Sequence, residues 1–278
     1  MKKIWIRMKN AIEKRTSNVM WIHSSDLMFP NKWGASANQL IVISRLLDTE
    51  LWHRESDMRW HIRLADDGID LEKTNSRYCH FLREIEKNGY HPEMSVFTLA
   101  EYPMLAQFDG THRMGWMLSK MPNFFLPAVV KAKKNWFPMD GKRYMLECLN
   151  ENEVNILIDK YNDVRKKMRN DIIGLIREDV IEKIGLDKVV NIIADGVNVV
   201  GIVDKNVCWK SRKYWQFSIT LKYQEMYYKK GKIGSKVVDN ISDNLKKASS
   251  YNWGYIASTV TESIAIENKI YGDLRANE

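Results

Sequence analysis

Five consecutive residues, Asp109, Gly110, Thr111, His112 and Arg113, bring together the groups that grip a phosphate. Glycine lets a backbone approach an anion closely and turn sharply, because no Cβ stands in the way. The Thr111 hydroxyl and the His112 ring add donors, and the Arg113 guanidinium offers a planar fork matched to two phosphate oxygens. Asp109 is the discordant member, since a carboxylate repels phosphate unless a cation intervenes or the carboxylate takes part in a reaction. The set therefore describes phosphate binding with a metal ion or a hydroxyl substrate close by. An ordinary Asp-Gly turn followed by a solvated His-Arg pair spells the same letters, so the surrounding elements decide.

Before the motif, MSVFTLAEY and PMLAQF carry short apolar runs with β-branched and aromatic residues, bounded by Pro92, Pro103 and Gly110, and read as two hairpin-paired strands. After it, Thr111 to Lys120 returns to helical spacing, with Met114, Met117 and Leu118 as an apolar stripe. Pro122 and Asn123 end that helix, and a third strand follows from about Phe124 to Lys131. The motif thus falls at the end of a strand and the start of a helix, where unpaired N–H groups and the positive end of the dipole favour an anion.

Upstream, Leu40, Ile41, Ile43, Leu46, Leu47 and Leu51 recur at helical spacing, predicting a helix from Gln39 to Trp52. A second helix is predicted from Leu71 to Lys87, with Asp70 as a candidate N-cap and Gly89 as the stop. Downstream, Glu151 to Arg177 reads as mostly helical, Asp179 to Ala194 as a helix interrupted at Gly185, VNVVGIVDK as a strand, and Tyr255 to Tyr271 as a helix. The expected class is α+β: an N-terminal helical region (1–64), a small mixed sheet flanked by helices (65–145), and a mostly helical C-terminal region (146–278).

The segment NGYHPEMSVFTLAEYPMLAQFDGTHRMGWMLSKMPNFFLPAVV resembles the ParB/sulfiredoxin superfamily in its turn and in the order of elements around it. The likeness covers roughly residues 65–131, less than a third of the chain. It implies a fold in which the D-G-x-H-R turn holds nucleotide phosphates, as in CTP-binding partition proteins, ATP-using sulfiredoxins and free-serine kinases. In sulfiredoxins a cysteine stands at the place of Thr111, so the sulfur chemistry of that branch is excluded. Partition proteins carry an arginine-rich turn and a following helix-turn-helix, and neither is recognisable here. The turn is most similar to the kinase branch and to ParB-like proteins encoded among surface-polysaccharide genes.

The resemblance implies roles for individual residues. Gly110, Thr111, His112 and Arg113 position the nucleotide, Asp109 meets a metal ion or the acceptor, and His112 joins Asp109 among the candidate catalytic groups. A second carboxylate is expected before the helix that precedes the strands, where Asp67 and Asp70 are the nearest matches; Asp70 also suits a plain N-cap. Arg45, Arg59 and Arg63 suit an anionic acceptor, or simply a solvated helix face. The expected activity is transfer of a phosphoryl group from a nucleoside triphosphate or diphosphate, with ATP (or another nucleotide) and Mg²⁺, to a hydroxyl of a small molecule or glycan, as in surface-polysaccharide synthesis. The alternative is a nucleotide-binding or nucleotide-hydrolysing module associated with nucleic acid.

Composition agrees with anionic partners without choosing among them: the net charge is +8 and the pI about 9.2. WKSRKYWQF interleaves cations and aromatics as nucleic-acid surfaces do, and the same text suits a phosphoglycan. Among ten tryptophans, Trp116 lies in the motif helix and suits either a core position or a place under the nucleotide. The opening MKKIWIRMKNAIEKR mixes apolar residues with six Lys/Arg, compatible with peripheral membrane contact or with packing on its own domain. Three separated cysteines, no C-x-x-C pair, no secretion signal and no run of about 18 apolar residues lead to an expectation of free thiols and a cytoplasmic location.

Overall fold

The computed structural model describes residues 19–52, 71–89, 97–101, 105–131, 140–195, 197–250 and 252–272. Asp67, Asp70, Arg59, Arg63 and the basic N-terminal stretch lie outside them. By their contacts the residues fall into two units, one of 1–28 with 33–168 and one of 29–32 with 169–278, rather than at the boundaries 64/65 and 145/146 read from sequence. The helix that follows residue 150 belongs to the first unit, because its apolar face packs there. The expected α+β class holds.

The first unit contains, in order, β1 (Met20–His23), α1 (Ser24–Met28), α2 (Ala37–Leu51), α3 (Leu71–Asn88), β2 (Phe97–Glu101), β3 (Leu105–Asp109), α4 (Thr111–Lys120), β4 (Phe125–Lys131), α5 (Gly141–Met145) and α6 (Glu151–Lys167). The sheet order is β1-β4-β2-β3, with β2 parallel to β4 and the other pairs antiparallel. The chain therefore makes a hairpin from β2 to β3, then crosses by way of α4 to lay β4 on the far side of β2. This crossover places the start of α4 at the end of an edge strand.

Local sequence explains the helix ends. Ser36 and Gln39 form a reciprocal capping box at α2, with bonds of 3.4 and 2.8 Å, and Asn150 and Glu153 do the same at α6 at 3.1 and 3.0 Å. Each such cap contributes about 1 kcal/mol. Leu40, Val42, Ile43 and Leu46 of α2 are buried, as are Val154, Leu157, Tyr161 and Val164 at helical spacing on α6. The Tyr161 hydroxyl donates to the Met28 carbonyl at 2.7 Å, tying α6 to α1.

Helices α2 and α4 meet at unusually short range. A Cβ on Gly115 would fall 2.7 Å from the Leu46 nitrogen and 2.8 Å from the Arg45 carbonyl carbon, so only glycine permits this crossing.

The second unit is built on an antiparallel sheet, β10-β5-β7-β6, of β5 (Asp171–Arg177), β6 (Val197–Trp209), β7 (Arg212–Leu221) and β10 (Gly254–Ile256). A separate hairpin pairs β8 (Met226–Lys229) with β9 (Lys232–Ser235). Helices α7 (Glu178–Ile184), α8 (Leu186–Ile193), α9 (Lys236–Ser249) and α10 (Val260–Tyr271) complete it. One apolar core joins Ile172, Leu175 and Phe217 of the sheet to Val180, Val189, Ile241 and Val260 of the helices.

Two expectations need correction here. The helix read from Glu151 to Arg177 stops at Lys167, and Asp171–Arg177 is a strand. Five successive buried residues, Ile172 to Ile176, form a continuous apolar run, and such a run does not separate a buried strand from a buried helix. The helix read from Tyr255 starts instead at Val260, where the Thr259 hydroxyl accepts from the Glu262 N–H at 3.1 Å, while Gly254–Ile256 pairs with β5. By contrast, α2, α3, α4, β4 and the break at Gly185 all lie where hydrophobic spacing puts them.

Candidate functional site

Helix α4 opens from Gly110, whose φ of +90° puts it in the left-handed region that side chains disfavour. That conformation turns the chain from β3 straight into the helix. Gly110 itself is buried, and Thr111, His112 and Arg113 are half-buried along the first turn. Asp109, the last residue of β3, pairs through its backbone with Thr98. The backbone N–H groups of a first helical turn point out along the axis, toward whatever the turn faces. Thus the five residues sit as the spacing predicts, at a strand end and a helix N-terminus.

What lies beneath that turn was not legible as a site. The His112 ring packs on the Tyr78 ring of α3 at 4.7 Å between centroids. The Tyr78 hydroxyl donates to the Arg45 carbonyl of α2 at 2.9 Å and lies 2.6 Å from the Thr49 hydroxyl, which bonds the same carbonyl at 2.7 Å. Gly115 opposes Arg45 and Leu46, and His112, one turn earlier on α4, reaches the tyrosine bonded to Thr49, one turn later on α2.

On that same face of α2, Arg45 and Asp48 are buried, at 7% and 1% exposure. Arg45 Nη1 stands 3.7 Å from Asp48 Oδ2, close enough for charge attraction but too long for a hydrogen bond. Arg45 Nε and Nη1 are both buried and have no hydrogen-bond partner among the described residues. A buried donor left without a bond costs on the order of 1–3 kcal/mol. Burial pulls the Arg45 guanidinium below its ordinary pKa, while the Asp48 charge opposes that shift. Burial likewise holds the Tyr78 hydroxyl well above its ordinary pKa, so it remains a neutral donor.

The reading of Arg45 as part of a solvated helix face is therefore corrected: it is a core-facing cation. Trp116 packs with Tyr78, Leu82, Trp52 and Phe81 in a small apolar cluster, which favours its core role. Asp48, Thr49 and Tyr78 were missed. The available signal was Arg45, Asp48 and Thr49 at i, i+3 and i+4 on a stripe otherwise made of Val42, Ile43 and Leu46, a polar patch where an amphipathic helix wants apolar residues.

A second polar knot lies at the opposite end of α4. Ser24 bonds the Pro122 carbonyl at 2.7 Å, the Ser25 N–H donates to His23 Nδ1 at 3.2 Å, and Asp26 is buried with Arg165 in electrostatic contact. These bonds stitch β1 and α1 to the loop before β4 and have the character of a structural joint. Cys79, Cys148 and Cys208 form no disulfide among the described residues. Among the described residues no three His, Cys, Asp or Glu side chains come together as a metal-holding group, and no helix is long and apolar enough to cross a membrane. No family model, curated protein or solved structure matches the chain.

Proposed function

We propose that the protein is a nucleotide-dependent phosphotransferase whose phosphate site is the turn from Asp109 to Arg113, in the manner of the ParB/sulfiredoxin superfamily. The observation that carries this reading is the left-handed Gly110 leading β3 directly into α4, with His112 and Arg113 in the first turn. A backbone of this kind, plus a helix dipole and a guanidinium, favours the dense charge of a di- or triphosphate. Phosphoryl transfer asks little covalent work of a protein: the phosphates must be held, a divalent cation must neutralise them, and the acceptor hydroxyl must be oriented.

Mg²⁺ is commonly held by one or two carboxylates together with phosphate oxygens and water, not by an all-protein cage. Asp109, adjoining Gly110 in the chain, suits that donor set, with Asp67 and Asp70 as further carboxylates on the strength of the resemblance. The ion would neutralise charge on the transferred phosphate, and His112 would supply a hydrogen bond to it. The acceptor is a hydroxyl of a small molecule or glycan, and the working compartment is the cytoplasm, where nucleotides are abundant and thiols stay reduced.

A second reading is favoured by one observation in the other unit. At the tip of the β6–β7 hairpin Lys210 Nζ lies 4.3 Å from the centroid of Trp209, and Lys205 Nζ lies 5.1 Å from that of Trp215. Cations set over aromatic faces suit a nucleic acid that triggers nucleotide hydrolysis. One experiment separates the two: ATP, GTP or CTP with Mg²⁺ is supplied with and without sugars and other hydroxyl compounds, or with DNA. Nucleoside diphosphate release that depends on a hydroxyl acceptor, with a phosphorylated product, supports the phosphotransferase. Turnover that responds to DNA alone, with no phosphorylated acceptor, supports the second reading against it.

A further inference from the structure

We propose that the β6–β7 hairpin of the second unit docks the protein on an anionic lipid surface. This contact goes beyond the phosphate site read in the first unit and does not depend on it.

The charge is concentrated. Between Lys205 and Lys236 nine Lys/Arg stand against one carboxylate, Glu225, so this stretch accounts for the whole net charge of +8. All nine cations are exposed. Four of them, Lys205, Lys210, Arg212 and Lys213, belong to the β6–β7 hairpin, and of these four only Lys213 has a carboxylate within 4.0 Å among the described residues, that of Glu178. Asp204, the one acidic residue of the hairpin, accepts from the Asn206 N–H at 2.8 Å. Lys210 and Ser211 form the turn at positive φ, 50° and 60°, so a cation holds the tip where Asn-Gly is usual.

The same hairpin exposes apolar side chains. Seven large hydrophobic residues are exposed among the described residues, and three of them, Val199 (59%), Ile202 (41%) and Val203 (51%), fall within five positions of β6. Single exposed residues are ordinary, but a group of them marks a contact surface. Trp209 and Trp215 are half-buried, with the Lys210 and Lys205 ammonium groups 4.3 and 5.1 Å from their ring centroids. Indoles beside long-stemmed cations are the side chains that settle at headgroup level. Nucleic acid would engage the cations, but the valines and Ile202 gain nothing from phosphates. A lipid surface uses all three groups: anionic headgroups meet the cations, the indoles sit among them, and the aliphatic residues reach the acyl boundary. A second copy added strand to strand fits less well, although β6 is the sheet edge. The register of β6 shifts after Val197, Ile202 and Asp204, and bulges of this kind turn an edge away from further strands.

The test is sedimentation of the full chain with vesicles of phosphatidylcholine alone, or of phosphatidylcholine mixed with phosphatidylglycerol, at low and high salt. The wild-type chain should bind the mixed vesicles at low salt, and lose them in high salt or when the anionic lipid is left out. Combining Lys205→Gln, Lys210→Gln and Lys213→Gln should weaken binding at least about tenfold, and the three Arg replacements at the same positions should retain it. Val203→Ser, an exposed change that leaves every charge in place, should weaken binding at least about threefold, which a purely electrostatic contact would not show.

A wild-type chain that stays in the supernatant with the mixed vesicles overturns the proposal. So does vesicle binding that the triple Gln variant keeps in full, because another part of the chain then makes the contact. Duplex DNA bound through the three lysines, with no vesicle bound, names nucleic acid as the ligand and overturns it as well. If the triple variant does not fold, an environment-sensitive fluorophore on Cys208, exposed beside Trp209, takes its place in a chain carrying Cys79→Ser and Cys148→Ser. A blue shift on adding mixed vesicles supports the proposal, and no shift overturns it. Failure of the chain to bind any nucleotide defeats the phosphotransferase reading alone and leaves these outcomes as they stand.

Discussion

The two units bury polar groups in different ways. In the second unit nearly every buried polar side chain is matched: the Ser235 hydroxyl donates to Gln224 at 2.7 Å, Ser263 accepts from the Ile173 N–H at 3.1 Å, and Arg169 grips Glu267 with two bonds of 2.8 and 3.0 Å. Burial works to lower the Arg169 pKa, but the bonds and charges of Glu267 and Asp171 outweigh it and hold the group above its ordinary value. In the first unit, Arg45 is buried with its Nη1 3.7 Å from the Asp48 carboxylate, and there burial outweighs the attraction. A self-satisfied core serves stability, whereas a core cation whose donors are unfilled costs stability where it stands.

The sharpest way to break the contrast is to part α2 from α4. Gly115→Leu drives side-chain atoms into the backbone of Arg45 and Leu46, so thermal or urea unfolding should show a loss of about 3 kcal/mol or more, with nucleotide binding abolished. A fully stable Gly115→Leu protein with intact binding would mean that the close crossing is irrelevant to the site.

Glu267→Ala attacks the second unit instead. It strands a partly exposed Arg169, and a loss of about 1–3 kcal/mol is expected in urea unfolding, while ATP affinity measured calorimetrically stays within about twofold. A large fall in affinity would show that the units are not divided in role as described.

Tyr78→Phe deletes one hydroxyl beneath His112 and should cost about 1–2 kcal/mol, with a several-fold weaker ATP affinity because Arg45 and His112 lose their common support. An unaltered melting temperature would show that the bond to the Arg45 carbonyl is dispensable.

The smallest effect is alkaline. Burial raises the pKa values of Tyr78 and Tyr161 above their ordinary value near 10, so the folded chain holds these protons more tightly than the unfolded one. Their contribution is complete below pH 10 and declines above it, by at most about 1.4 kcal/mol per pH unit for each tyrosine. Urea titrations from pH 9 to 11 should show the decline, and Tyr78→Phe should make it shallower. An equal slope in the variant would contradict the assignment.

Sequence legibility follows the same division. The strand–turn–helix around Asp109 to Arg113 was readable because its elements are short, amphipathic and punctuated by Gly110 and Pro122, so local chemistry fixes them. Strand β5 was not, because burial on both faces erases the period that distinguishes strand from helix. The Arg45, Asp48, Thr49 and Tyr78 group was also hidden. Its members lie on two helices, and only the packing of α2 against α3 and α4 turns an apparent surface arginine into a buried one. The unit boundary shifted for the same reason: Phe29 to Lys32 join the second unit through a Pro30 carbonyl bonded to Gln224 and a Lys32–Glu225 pair, contacts that no local pattern announces.

The central claim is that the first turn of α4 binds nucleotide phosphate, and calorimetric titration of ATP with Mg²⁺ into wild-type and Arg113→Ala protein tests it most directly. The account predicts binding by the wild-type chain and an affinity at least about thirtyfold weaker in the folded variant, from a lost charge-assisted contact. Equal affinities in the two proteins, or no binding of any nucleotide by the wild type, would contradict it.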